Sequence, residues 1–579
     1  MISADGFRTT DKLAINPATV PSGDLTTSWE PALTSSHELS RLARKMPSEV
    51  ISGKSLQREL ADSIIRMVPL DEIRILLACG AKVNEPVTQG LRPLHYAIWQ
   101  RHLEATRLLL VRGGDVNARD DCGYSALHLA AEHGYIIVQL AGHKLSQSKH
   151  LQSVNEPVTQ GLRPLHYAIW QRHLEATRLL LVRGGDVNAR DDCGYSALHL
   201  AAEHGYTELV RLLLQSGAAV DYRVDSGEQF PRTTLCDEPL RLAIRNKHYE
   251  VARLLLEHGA DPNKRYFFGA EINLVSDPEY LELLLSFGAN PDSRDRAGLT
   301  PLMKAARQKR GIEAVLLLIS HGADVNAMAD ARNDYRTVMH YAVLSGNPDM
   351  VNLLIKQGGR VNYEGVELNK PSALDLAILK GDVAMVQMLM SAGAHVNASS
   401  SVIGSPLHVA CSDNIDNRKE IVKLLLESGA DPNLKVLNEE DGAQLRPALA
   451  EYLASNVEPS ATIVSLLLRY GARVIMKTQF RDPDGILNHL QNITSEQYEH
   501  IFYLLLEAAE SFDLCMIKRN STLTAVQKQT LIERAKNPIS LLAQTRIYLR
   551  KYFGTDLVDI VKTLEIPAIL HQYLLFECR

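Results

Sequence analysis

Histidine recurs in this chain at a fixed place in a repeated phrase. It closes Arg92-Pro-Leu-His95, Ser125-Ala-Leu-His128, Thr337-Val-Met-His340 and Ser405-Pro-Leu-His408. Regularly spaced imidazoles are candidate metal ligands or proton carriers. A ligand set would need a carboxylate or cysteine in the same register, and none is there, so the metal reading is rejected. The 7 cysteines (Cys79, Cys122, Cys193, Cys236, Cys411, Cys515, Cys578) are scattered without a Cys-x-x-Cys pair. They are expected to be reduced thiols of an intracellular protein. The chain has no Gly-rich phosphate loop with Lys, no Gly-x-Ser-x-Gly and no His-Glu-x-x-His. The sequence therefore predicts no catalytic site, no metal and no cofactor.

The elements that carry these residues belong to an ordinary folded chain of 579 residues, 45% hydrophobic and 22% charged. A net charge of −6 gives no electrostatic footprint for nucleic acid. No apolar run approaches the roughly 20 residues that cross a bilayer. The first residues, MISADGFRTTDKLAINPATV, lack the apolar core of a signal peptide. Membrane insertion is not expected, and the expected location is the cytoplasm or nucleus.

Each histidine phrase opens a short helix. A second helix ending in Leu-Leu-Leu follows, then a Gly-Ala/Gly-x-Val/Pro-Asn/Asp marker. That marker appears at Gly80–Asn84, Gly113–Asn117, Gly184–Asn188, Gly217–Asp221, Gly259–Asn263, Gly288–Asp292, Gly322–Asn326, Gly358–Asn362, Gly393–Asn397 and Gly429–Asn433, with Gly471–Val474 a decayed last instance. The steps are mostly 33 to 36 residues. This array resembles the ankyrin repeat, whose period is about 33. The resemblance implies a structural, hydrogen-bonding role for the histidines. It also implies an all-α fold class, an ankyrin-repeat solenoid of helix-turn-helix units with hairpin tips, because so short a unit must stack to bury its apolar face.

The expected domains are a disordered arm at 1–55, about eleven to twelve ankyrin repeats at 56–474, a helical capping region at 475–536 and a C-terminal module at 537–579. Longer loops are expected at Asp225–Asp237 and Glu439–Gly442, and a short or distorted helix at Ala270–Ser276. Val83–Tyr135 recurs without change at Val154–Tyr206, an offset of 71 residues. Removing 136–206 would join Tyr135 to Thr207 and restore an unbroken frame. The segment reads as a recent tandem duplication or a gene-model error, with Gly142–Ser153 as irregular sequence between units.

In the C-terminal module, Leu541, Thr545 and Leu549 lie on one helix face, and Arg546, Arg550 and Lys551 on others. The segment Leu564-Glu-Ile-Pro567 follows, then Leu570 and Tyr573. The spacing resembles the SOCS box, a small three-helix module. Thr545 stands where that family has Cys, and Glu565 where it has the first Pro of its cullin segment. The resemblance implies elongin B/C binding through Leu541, Thr545 and Leu549. It implies binding of a cullin scaffold with its RING protein through Leu564, Ile566, Pro567, Leu570 and Tyr573.

Ankyrin array and SOCS box together resemble the ankyrin-repeat and SOCS-box family. That resemblance implies a substrate-recognition subunit of a cullin-RING ubiquitin ligase, acting by proximity and not by chemistry of its own. The alternative is a non-ligase ankyrin scaffold or adaptor in intracellular signalling, with C-terminal helices that cap the stack. In either case a target protein of unknown identity is expected to bind the concave face. Candidate anchors there are Trp99, Tyr124, Trp170, Tyr195 and Arg245.

Overall fold

The computed structural model describes residues 56–134, 154–221, 237–266, 268–363, 370–412, 415–437, 444–456, 458–480, 482, 484–493, 498–537 and 539–576. The arm at 1–55, the Gly142–Ser153 junction, Glu439–Gly442 and all but the last residue of Asp225–Asp237 lie outside these ranges. The chain divides into two compact units, one ending at Lys264 and the other beginning at Arg265.

The first unit is a stack of helix pairs. Leu56–Ile65 pairs with Leu70–Ala78, Pro93–Trp99 with Leu103–Val111, Pro164–Trp170 with Leu174–Val182, Ala197–Glu203 with Thr207–Gln215, and Pro239–Arg245 with Tyr249–Glu257. The Ala126–Glu132 helix packs between Pro93–Trp99 and Pro164–Trp170. First helices start sharply because Pro suits the first turn and Ser can cap it. They are buried almost all round, as in Ala197–Ala202, because a neighbour covers each side. Second helices are amphipathic. Thr207–Gln215 buries Leu209, Val210, Leu213 and Leu214, each worth roughly 1.5–3 kcal/mol of burial. The marker glycine stops the helix in the left-handed region, as at Gly217 with φ 85°.

The marker Asn stitches one unit to the next. Asn188 donates from Nδ2 to Gly217 O at 3.3 Å and accepts from Ala219 N at 2.7 Å. Asn84 does the same with Gly113 O and Asp115 N, and Asn155 with Gly184 O and Asp186 N. Asn117 departs from the pattern: its Oδ1 is buried without a hydrogen-bond partner. The sequence beyond the first copy of the block has no Gly-Ala ending to meet it.

The second unit continues with helix pairs from Pro278–Ser286 to Ala461–Arg469. Its Asn ladder runs through Asn326, Asn362, Asn397 and Asn433. Where the short step predicted a distorted helix, Arg265–Tyr266 pairs antiparallel with Gly269–Ala270, and Glu271–Asn273 forms a single 3-10 turn. The decayed marker also has a structural outcome. Val474–Met476 pairs parallel with Ala509–Phe512, so the region read as purely helical contains a small sheet.

The expectation of a small three-helix SOCS box is not met. Leu541–Phe553, Leu557–Thr563 and Ala568–Leu574 are the last helices of a larger bundle. That bundle also takes in the Leu487–Ile493 turn and the helices Glu499–Ala508, Leu514–Arg519 and Ala525–Lys536. Arg546 is 2% exposed and Arg550 5%. Arg550 donates to Ala472 O, and Arg546 donates to Glu507 O at 3.0 Å and Glu507 Oε2 at 3.2 Å. A Cβ on Gly471 would stand 2.8 Å from Gly554 O. These long-range contacts fasten the last three helices to residues 471–472 and 507. They are the end of the bundle, not an appended module.

Candidate interaction surfaces

The recurrent histidines are spent on the fold. His95 accepts from Arg92 N at Nδ1 (3.0 Å) and donates from Nε2 to Ala118 O (3.0 Å). His128 repeats this with Ser125 and Glu156 O, and His340 with Thr337 and Pro371 O. These three rings each tie their own helix start to the next unit, whereas His166 and His408 hold only the helix start, their Nε2 atoms being buried without a hydrogen-bond partner. Burial holds His95 down at about 4 and His128 at about 3, so both stay neutral. With both nitrogens engaged, these rings have no lone pair to offer a metal. Among the described residues no group of His, Cys, Asp and Glu could hold one.

The five target-binding candidates separate. Trp99 and Trp170 end their first helices half-buried. Arg245 is exposed and donates to Asp237 Oδ2 at 2.7 Å. Tyr124 is buried inside the stack, where its hydroxyl meets that of Tyr167 at 2.9 Å. Tyr195 occupies the identical place in the second copy but is half-buried, its ring 5.4 Å from that of His199. The sequence around the two tyrosines is the same and the unit stacked upon them is not.

On the Leu541–Phe553 helix the three expected elongin-binding residues do not share one environment. Leu541 is 78% exposed, and Thr545 is exposed with its hydroxyl donating to Leu541 O at 2.8 Å. Leu549 is partly buried against Leu557, Val558, Val561, Leu574 and Leu575, as are Ile566 and Tyr573. Leu564 and Pro567 are exposed, and Leu570 is half-buried. The buried stripe is Ala543, Arg546 and Arg550. Arg546 lies 4.1 Å from the Tyr573 ring centre and 4.3 Å from that of Phe576, so aromatic faces cover the guanidinium.

Sequence reading missed one set of residues. Arg101, Arg172 and Lys247 sit in the turn between paired helices with φ of 54°, 60° and 61°. The signal for them is register: the equivalent places in neighbouring units are Gly134 and Gly205.

Stacked helix pairs with hydrogen-bonded Asn ladders and exposed turn edges define a protein-interaction repeat. Ankyrin-repeat family models match residues 76–130, 109–191, 165–266, 272–364, 327–400 and 362–436. The matched three-copy model covers more than half of the chain, and the chain belongs to the ankyrin-repeat family. Among curated proteins it is similar to the nuclear factor NF-kappa-B p105 subunit of Rattus norvegicus, 36% identical over 99 residues, which are 17% of this chain and 10% of that protein. The B-cell lymphoma 3 protein homolog of Mus musculus is 29% identical over 227 residues, 38% of this chain and 41% of that protein. Protein glp-1 of Caenorhabditis elegans is 31% identical over 155 residues, 24% of this chain and 12% of that protein. The chain thus spans well under two thirds of the length of each relative.

These findings overturn the ligase expectation. It rested on a SOCS box that the C-terminal bundle is not, and the family models match the repeats. The ankyrin fold is a non-catalytic protein-interaction module. No described helix is long and apolar enough to cross a membrane.

Proposed function

We propose that this chain is an ankyrin scaffold or adaptor that binds partner proteins in intracellular signalling. The array of stacked units carries this reading, since such a stack presents a row of turn and helix-end side chains at fixed spacing. The half-buried Trp99 and Trp170 are the anchors of the first unit, each offering a rigid apolar surface beside a polar rim. A cytoplasmic or nuclear location fits the exposed cysteines Cys79, Cys122, Cys193 and Cys515, none of which is in a disulfide. The test is proximity labelling with the full chain and with Trp99→Ala/Trp170→Ala. We expect the double variant to lose a discrete set of neighbours while its melting temperature changes little. The same neighbours in both samples would remove these tryptophans as anchors; only random labelling by the full chain would overturn the scaffold reading.

A further inference from the structure

In the first unit one residue shortly after each first helix lies in the left-handed region. From Arg101 onward these residues are Arg101, Gly134, Arg172, Gly205 and Lys247. Cation and glycine alternate, and the glycines have a packing cause. A Cβ on Gly134 would stand 2.5 Å from the His173 ring, and one on Gly205 2.4 Å from the His248 ring. Those rings lie there because His173 Nε2 donates to Glu132 O and His248 Nε2 to Glu203 O, each at 3.0 Å.

The cations have no such cause. Each accepts a backbone conformation that disfavours L-residues and that glycine would hold without strain. Strain of this kind is retained where the side chain is needed. All three side chains are exposed. Arg101 donates to His133 O at 2.8 Å. The Arg172 guanidinium lies 5.5 Å above the Tyr206 ring, which stacks on His204 at 5.4 Å. Trp99 and Trp170 stand two residues before two of the cations. Of the nearby carboxylates, Glu132 and Glu203 are half-buried, Asp237 is held by Arg241 and Arg245, Glu104 and Glu175 are paired with Arg107 and Arg178, and Glu208 and Glu250 are exposed. Burial also pushes the Glu132 carboxyl up.

Packed helices sit about 8–10 Å apart, so cations two units apart are about 16–20 Å apart. An extended peptide covers that distance in about five or six residues. We propose that Arg101, Arg172 and Lys247 form a recognition edge for an extended acidic segment of a partner protein, with acidic groups about five or six residues apart. The proposal deepens the scaffold reading and rests on it. A nucleic-acid strand fits less well. Its phosphates recur every few Å, and it would meet Glu132 and Glu203 between the cations.

The test uses the full chain and a fluorescein-labelled peptide of about fifteen residues, with Glu-Glu pairs about six residues apart, read by fluorescence anisotropy. The variant is Arg101→Gly/Arg172→Gly/Lys247→Gly, since glycine removes the charge and relaxes the backbone. We expect it to bind at least about tenfold more weakly and to melt no lower than wild type. A control peptide with Lys for Glu should not bind. The proposal is overturned if the full chain binds no acidic probe, if the glycine variant binds within about twofold of wild type, or if single-stranded DNA of equal charge binds more tightly. Those results leave the labelling experiment above untouched, so failure of the edge and failure of the scaffold reading are told apart.

Discussion

At the scale of single residues, the buried histidines and one aspartate make opposite demands on pH. His95, His128, His166 and His199 lie in the first unit, with burial lowering them to about 4, 3, 4 and 3. Their folded values lie below that of the unfolded chain, so the unfolded state binds more protons between these values and about 6.5. Their support is complete above about pH 6.5 and is lost as pH falls toward 4. Asp375 fills the histidine place in a later unit, and its Oδ2 accepts from Ser372 N at 2.8 Å and Ser372 Oγ at 2.7 Å. Burial raises it to about 6. Its sign is reversed: stability is fullest below the unfolded carboxylate value and is lost as pH rises through 6. We expect Asp375→Asn to gain on wild type by roughly 1–3 kcal/mol between pH 5 and pH 8, read from urea melts at both values. A difference that does not grow with pH would show that Asp375 stays neutral in both states or charged in both.

At the scale of elements, much was legible and the reasons are specific. Helix pairs were readable because Pro-Leu-His starts, Leu-Leu-Leu ends and left-handed glycines recur in one register. The structural use of the histidines was readable through family resemblance. The last helices read as a small separate module because no sequence pattern announces contacts made to residues 471–472 and 507. Arg546 and Arg550 turn inward, with long apolar stems and guanidiniums covered by Tyr573 and Phe576. The left-handed cations were legible only through their register with Gly134 and Gly205, since Arg and Lys do not themselves announce a positive φ. The misread helices give a direct test. Deleting 537–579 would leave Ala472 O and Glu507 O without the guanidiniums that now bond them. It would also uncover Tyr470, which packs against Leu557, Val558, Val561, Leu574 and Leu575. We expect the melting temperature to fall by several degrees, about 2–4 °C for each kcal/mol lost. An appended module would come off without moving it.

At the scale of the whole molecule, the duplicated block sets the last question, and the Asn ladder answers it in energetic terms. Asn84, Asn155 and Asn188 each make two inter-unit hydrogen bonds, whereas Asn117 Oδ1 makes none. A net hydrogen bond is worth about 0.5–1.5 kcal/mol, and an unmet buried acceptor costs more than it gives. Asn188→Ala should therefore destabilise the first unit by about 1–3 kcal/mol, while Asn117→Ala should be close to neutral. Removing 136–206 places Thr207–Gln215 directly after the Ala126–Glu132 helix. Asn117 then stands where Asn188 stands now, facing Gly217 O and Ala219 N. In that shorter chain of 579 − 71 = 508 residues, Asn117→Ala should become as costly as Asn188→Ala is in the longer one. Its melting temperature should be no lower than that of the full chain, because the deletion removes whole units and repairs the one defect in the ladder. A marked loss on deletion, or equal costs for Asn117→Ala in both chains, would mean that the second copy has been absorbed into the fold as a working part.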